Sequence, residues 1–283
     1  MFDTDGPQYS SEEKVIGNII YSVRFKYIYG DYDNVYAKIR DVYNCQIKKC
    51  TSSDAIIKLP NTEIRMYDFF SSYKKWDYPS GSIRVSGVAE NAFDSCDNVK
   101  AFQTANKPDD EIFTKDGVLY HRSKVGIIEL LRYPRKKPDK VFVIPDEVNR
   151  LRAGAFKECE YLQEIVFSQN CTEIATNAFI GCKNLKNVVL SENSTFIGAS
   201  AFKGCKSLET IEFPDSLRRI CENAFSGCKS LKTVTVPKEI YYIADSAFAT
   251  GNPDFVLCGS NRVAKKYAKK NNINYQKVKR KRS

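Results

Sequence analysis

Histidine is almost missing from this chain. Among 283 residues there is one, His121. Any Ser/His/Asp or Cys/His arrangement would have to be built at that single place. The glycine-rich phosphate loops are also absent: neither G-x-G-x-x-G nor G-x-x-x-x-G-K-[ST] occurs. No stretch approaches 18 apolar residues, so nothing reads as a membrane span. The N-terminus, residues 1–11, is acidic and polar with no apolar core, so it does not read as a secretory signal. Acidic residues stop at Asp254. Together these gaps argue against catalysis, nucleotide binding by a phosphate loop and metal chemistry. No cofactor and no catalytic or metal-binding residue is assigned.

What the chain does have is a repeat. Ala155-Phe156, Ala178-Phe179, Ala201-Phe202, Ala224-Phe225 and Ala247-Phe248 follow one another at intervals of 23. Three residues after the first four phenylalanines stand Cys159, Cys182, Cys205 and Cys228, and three further on Leu162, Leu185, Leu208 and Leu231. A strict period of this length marks a solenoid, in which each turn buries its apolar face against the next. One turn reads Leu208-x-x-Ile211-x-Phe213-Pro214, then Leu217, Ile220 and Ala224-Phe225. The first part is a short strand with alternate residues inward. Pro145, Pro214 and Pro237 end such strands, because proline cannot donate to the ladder. Ala-Phe-x-x-Cys is expected as one or two helical turns, with Gly181, Gly204 and Gly227 releasing the chain.

The phenylalanines are expected to stack as a spine. The cysteines, Cys96 included, read as a buried, reduced column: spacings of 23 are not those of a zinc site, which needs pairs two to four residues apart. Cys45 and Cys50 fall off the pattern.

Before the array, residues 1–12 read as a disordered lead-in. Ile19–Tyr29 and Val35–Tyr43 read as a β-hairpin around a turn at Gly30–Asn34, laid across the solenoid end as a cap. Residues 44–91 read as irregular, with one strand at Ile56–Leu59 and the pattern returning at Val88 and Ala92-Phe93. Tyr67, Phe69, Phe70, Tyr73, Trp76 and Tyr78 read as the core of a degenerate first repeat, with a carbohydrate platform as the other reading. Asp116–Tyr120 and Ile127–Leu131 form a second hairpin, with His121 near its turn. Tyr133–Pro138 reads as a basic loop interrupting the array. At the far end Ser260 is placed as N-cap of an amphipathic helix with Val263, Ala264, Tyr267 and Ala268 inward.

The motif Ala-Phe-x-Gly-Cys-x-x-Leu-x-x-Ile-x-Phe-Pro resembles the BspA-like leucine-rich repeat family. Asp116–Tyr120 with Leu131–Pro134 is similar to that family's inserted hairpin, and Gly259–Ala268 with Ile273 to its closing helix and strand. The resemblance is clearest over 139–275 and fades before 60. It implies an α/β, β-rich solenoid: a leucine-rich-repeat right-handed superhelix with 23-residue repeats, an N-terminal β-hairpin cap and a C-terminal helix cap. The parts would be 1–55 (lead-in and hairpin cap), 56–138 (irregular repeats with the inserted hairpin), 139–258 (regular repeats) and 259–283 (cap helix and basic tail). It also implies a non-catalytic adhesion or protein-binding role at a cell surface or outside the cell. The lack of a visible signal leaves the cytoplasm open as well.

Function then rests on the outward strand positions: Glu164, Val166, Asn187, Val189, Thr210, Glu212, Thr233 and Thr235. They form a shallow face suited to a protein or glycan partner. The rival reading is a polyanion, nucleic acid or sulfated glycan, held by Lys277, Lys279, Arg280, Lys281 and Arg282, with help from Arg135–Lys140. The formal charge of +10 supports it. Asn170-Cys171-Thr172 and Asn193-Ser194-Thr195 are glycosylation triplets placed 23 residues apart.

Overall fold

The computed structural model describes residues 8–16, 19–29, 37–50, 54–59, 63–65, 82–84, 87–89, 92–104 and 110–278. The turn at 30–34, the aromatic cluster from Tyr67 to Tyr78 and the cations from Lys279 to Arg282 lie outside them. The chain forms two compact units, Met1–Asp116 and Gly117–Ser283.

In the first unit, Gln8–Ile16 pairs antiparallel with Ile19–Tyr29, which pairs antiparallel with Ala37–Cys50. Two expectations change. Residues 8–12 are paired rather than a disordered lead-in: the ladder uses backbone groups, so a polar stretch can join it. The strand expected to end at Tyr43 runs on to Cys50, and three register shifts along the pair absorb its extra residues.

Two parallel pairs follow in the same unit: Gln46–Ile47 with Gly87–Val88, and Ile56–Lys58 with Ala101–Gln103. They join two successive turns, the first of which begins inside the stretch read as irregular and includes the strand expected at Ile56–Leu59. Cys50 is part of that first turn. Its amide donates to the Ala92 carbonyl and its carbonyl accepts from the Cys96 thiol at 3.3 Å. In the repeats of the second unit, phenylalanines occupy that place.

The second unit is a stack of parallel rungs. A first row of strands contains Val141–Val143, Glu164–Val166, Asn187–Val189 and Thr210–Ile211, in register. Thr233–Val236, Val256–Gly259 and Asn274–Lys277 continue as a separate parallel sheet. A second row contains Glu173–Ile174, Phe196–Ile197, Arg219–Ile220 and Tyr242–Ile243. The hairpin Val118–Arg122/Ile128–Arg132 also belongs to this architecture, for its return strand pairs parallel with Val148–Leu151. His121 sits within the first hairpin strand opposite Glu129, and the turn is closed by Ser123 N–H donating to Ile127 O at 2.9 Å.

The Ala-Phe-x-x-Cys segments are not helical. Each is a chain of tight turns, as in Ile180 N–H to Asn177 O and Cys182 N–H to Phe179 O. The reason lies in where the amides go. Asn177, Phe179 and Gly181 donate to Ala199, Ala201 and Lys203 of the next turn, so no i−4 ladder can form. Positive φ at Asn177 (56°) and Gly181 (73°) bends the chain on either side of the phenylalanine.

The spine is present. Phe156, Phe179, Phe202 and Phe225 are fully buried, with centroids 4.8, 5.2 and 5.3 Å apart and planes 16°, 6° and 13° apart. Phe248 continues the stack at 5.1 Å, and Phe255 and Tyr267 close it. At the other end Tyr133, read as loop, takes the next place: it stacks on Phe156 at 5.0 Å. It stands 23 residues before Phe156, so the array starts one turn earlier than the alanine-phenylalanine pattern shows.

Among the described residues there is one helix, α1, Arg262–Lys270, with Ala264, Tyr267 and Ala268 buried and Val263 half-buried. Its N-cap is Asn261 rather than Ser260. Asn261 Oδ1 accepts from Ala264 N–H at 2.8 Å, while its amide donates to the Pro237, Lys238 and Ile240 carbonyls.

Candidate functional site

The first row turns one side of each strand outward, because side chains alternate. Two files of residues run across the rungs. One is Val141, Glu164, Asn187 and Thr210. Asn187 Nδ2 donates to Glu164 Oε2 at 3.2 Å, and Thr210 Oγ1 donates to Asn187 Oδ1 at 3.4 Å. The other is apolar: Val143, Val166 and Val189. Val143 is 60% exposed and Val189 42%. At the 23-residue offset the next residue in that file is Glu212.

Five of the eight expected positions, Glu164, Val166, Asn187, Val189 and Thr210, thus share one sheet. Glu212 lies just past its end. Thr233 and Thr235 are exposed on the neighbouring sheet, opposite Val256 and Cys258. Val141 and Val143 extend the same face and were not anticipated, although the offset from Glu164 and Val166 points to them.

A depression of 540 Å³ lies where the neighbouring strands Asn187–Val189 and Thr210–Ile211 end, beside Val189, Thr210, Glu212 and Phe213. A rung is missing there. Ile144 N–H donates to Val166 O, and Phe167 N–H to Val189 O, each at 2.9 Å. The next in that series would join Leu190 N–H to Glu212 O. Among the described residues neither group makes a backbone bond. Glu192 and Asp215 add carboxylates at the rim.

The second row carries a stack that sequence reasoning missed. The Arg219 guanidinium lies 5.7 Å from the Phe196 ring and 5.0 Å from the Tyr242 ring. The Tyr242 hydroxyl donates to Glu222 Oε1 at 3.2 Å, and this bond raises its pKa. The signal was in the sequence, since Phe196, Arg219 and Tyr242 stand 23 apart.

The thiols are structural. Cys182, Cys205 and Cys228 donate to the carbonyls of Phe156, Phe179 and Phe202 at 2.9, 3.1 and 3.1 Å. Burial pushes Cys228 and Cys171 up to about 12, and Cys159 and Cys205 well above the ordinary thiol range. Thiols held protonated in this way are poor nucleophiles. Among the described residues no three His, Cys, Asp or Glu side chains converge as a metal site.

The basic loop is largely neutralised by its neighbours. Arg135 pairs with Glu158 at 2.8 Å, Lys136 with Glu160 at 3.9 Å and Lys137 with Asp139 at 2.6 Å. The asparagines of both glycosylation triplets serve the stack as well. Asn170 Nδ2 donates to Asp146 O and Asn193 Nδ2 to Gln169 O.

Residues 138–253 match the BspA type leucine rich repeat region in six copies. That stretch is a BspA-type leucine-rich repeat region. Two solved structures share the fold over nearly all of both chains. One is a leucine rich cell surface protein from Faecalibacterium prausnitzii A2-165: 17% identity, 95% of this chain and 96% of that one, TM-score 0.57. The other is the pneumococcal vaccine antigen PcpA: 15% identity, 95% and 99% coverage, TM-score 0.59. No curated protein matches the sequence. Among the described residues no helix is long and apolar enough to cross a membrane.

Proposed function

We propose that this chain is a non-catalytic adhesion or protein-interaction module that meets its partner through the outward face of the first strand row. One observation carries the reading. The Glu164, Asn187 and Thr210 side chains are hydrogen-bonded across three rungs beside a file of valines in which Val143 and Val189 are exposed. Such a face is ordered before any partner arrives, so little conformational entropy is lost on binding. The valines supply area and the polar file supplies register. The likeness to a cell surface protein and a vaccine antigen is consistent with a partner met outside the cell.

The test is binding to a panel of purified matrix proteins by surface plasmon resonance. A set variant with Val166, Val189, Thr233 and Thr235 each changed to lysine should lose binding while its melting temperature stays within a few degrees of wild type. Equal binding by the two proteins would sink the reading.

A second reading, polyanion capture, is supported at the C-terminal end. Lys265, Lys266 and Lys269 of α1 are exposed and make no ion pair among the described residues, and Lys277 follows. Binding of heparin or nucleic acid by this end should fall steeply between about 50 and 200 mM salt. Deleting residues 277–283 should abolish it.

A further inference from the structure

We propose that a column of lysines on the repeat array holds a linear sulfated polysaccharide. The site is distinct from the outward strand file and from the C-terminal cations, and it stands or falls without either of those readings.

The column follows from the repeat. Lys183, Lys206 and Lys229 each stand directly after a cysteine of the buried column, 23 residues apart. Backbone bonds make them neighbours: Ser207 N–H donates to Lys183 O at 3.2 Å, and Ser230 N–H to Lys206 O at 3.1 Å. Adjacent rungs lie about 4.8 Å apart, so the three positions span about 10 Å. Three residues further along the same turns come Lys186, Glu209 and Lys232, and Lys203 stands three before Lys206. All six lysines are exposed.

These charges are not compensated. Elsewhere in this unit neighbouring turns set opposite charges together, as in Arg152 with Glu129 at 3.0 Å and Arg135 with Glu158 at 2.8 Å. Among the described residues none of the six lysines makes an ion pair. Like charges held opposite each other on adjacent rungs repel. Anions laid along the column relieve that repulsion, so the geometry favours a ligand that carries several. The column also has ends. One turn earlier its place is taken by Glu160, paired with Lys136 at 3.9 Å, and one turn later by Asn252.

Two features select a sugar chain among polyanions. Asn187, Thr210 and Thr233 run in file beside the lysines, and their amide and hydroxyl groups match ring hydroxyls. Single-stranded nucleic acid is held by stacking its bases on aromatic side chains. Residues 182–189, 205–212 and 228–235 contain no aromatic residue. Lysine, a compact point charge, suits a single sulfate, where arginine's planar fork is the better match for bidentate pairing.

The experiment titrates the full chain into a fluorescein-labelled heparin oligosaccharide and follows anisotropy between about 50 and 200 mM salt. The variant Lys183→Gln, Lys206→Gln, Lys229→Gln should weaken binding about tenfold or more. It should also flatten the slope of log Kd against log salt by about two to three, since each lysine contact releases about one counterion. A control of equal charge change on α1, Lys265→Gln, Lys266→Gln, Lys269→Gln, should alter Kd by less than about twofold. A desulfated chain of the same length should bind far more weakly. All six substituted positions are exposed, and melting curves verify that both variants fold.

Equal weakening by the two variants would overturn the proposal, because net charge alone would then explain binding. So would unchanged affinity of the column variant, equal binding of the desulfated chain, or equal affinity for a DNA oligonucleotide of matched charge. The readings fail separately. If deleting 277–283 abolishes heparin binding while the column variant leaves it intact, the C-terminal end holds the polyanion and the column does not. Matrix-protein binding through the strand face is unaffected by either result.

Discussion

Tyr133 lies on Phe156 with ring centroids 5.0 Å apart, and its amide donates to the Ala155 carbonyl at 2.8 Å. Phe156 makes the same two contacts with Phe179 and the Ala178 carbonyl. Tyr133 is therefore the first member of the spine. The tyrosine hydroxyl exits toward Asp139, to which it donates at 3.2 Å. An aromatic with a polar tip suits the end of a stack, where one side is apolar and the other still meets polar groups.

The spine predicts a graded response to truncation. Phe202→Ala, in the middle, removes a fully buried ring with stacked neighbours on both sides. It should cost about 3–5 kcal/mol, from lost burial and the cavity left behind. Tyr133→Phe keeps the ring and should cost no more than about 1 kcal/mol, the net value of one hydrogen bond. Urea unfolding measures both, and comparable midpoints for wild type and Phe202→Ala would end the spine assignment.

Much of this was legible from one number. The interval of 23 placed the phenylalanines, the cysteines and the outward strand positions, because stacked turns convert sequence period directly into spatial columns. The residues missed were those whose type departs from the column while their position does not. Tyr133 keeps the interval but lacks the preceding alanine. Cys50 occupies a phenylalanine place with no matching interval, since the stretch between it and Ala92 is longer than a repeat. Glu192 and Asp215 keep the interval as well, but they stand in the turns after the strands, outside the outward strand positions. The absent rung beside Leu190 is a feature of backbone geometry alone, and nothing in the residue types around it announces it. The helical expectation for Ala-Phe-x-x-Cys failed for a related reason. Local propensity permits a helix there, but the amides are taken by the neighbouring turn.

The buried thiols give a pH dependence with a defined sign. Burial holds Cys228 and Cys171 up to about 12, against an ordinary value of 9.0. The folded state thus keeps protons that the unfolded chain releases. Stability is full below pH 9 and falls as pH rises from 9 toward 12, by at most about 1.4 kcal/mol per pH unit for each such thiol. Tyr133, also pushed up by burial, adds in the same direction. Urea midpoints at pH 8 and pH 10 should differ, and Cys228→Ala should shrink the difference. A thiolate absorbance near pH 8.5 in the folded protein that Cys228→Ala removes would contradict the arrangement.

Two glycines separate crowding from backbone strain. A Cβ on Gly198 would meet Thr176 N at 2.6 Å and Ile174 O at 2.8 Å, both backbone atoms of the preceding turn. Neither can retreat without opening the second row, where Gly198 N–H donates to Ile174 O. Gly198→Ala should cost about 2–3 kcal/mol. Gly126 has φ +82°, and a Cβ added there would meet nothing within 4 Å, so Gly126→Ala costs only the left-handed conformation, about 1 kcal/mol. The order of the two melting temperatures is the test, and Gly126→Ala melting below Gly198→Ala would reverse it.

Asn261 predicts an unusual ranking at the start of α1. In most helices asparagine and aspartate are equally good N-caps, and alanine costs about 1 kcal/mol. Here the carbonyl half of the amide caps Ala264, while the NH₂ half donates to Pro237, Lys238 and Ile240. Aspartate would keep the cap and lose every donor, and it would set a negative charge against three carbonyl oxygens. Asn261→Asp should therefore be at least as destabilising as Asn261→Ala, by about 1–2 kcal/mol. Ser260→Ala, one residue earlier and exposed, should fall within about 0.5 kcal/mol of wild type. Amide hydrogen exchange across Arg262–Lys270 reports the helix directly. If Asn261→Asp protects those amides as well as asparagine does, the link from α1 to the Pro237 loop contributes nothing, and the cap alone holds the helix in place.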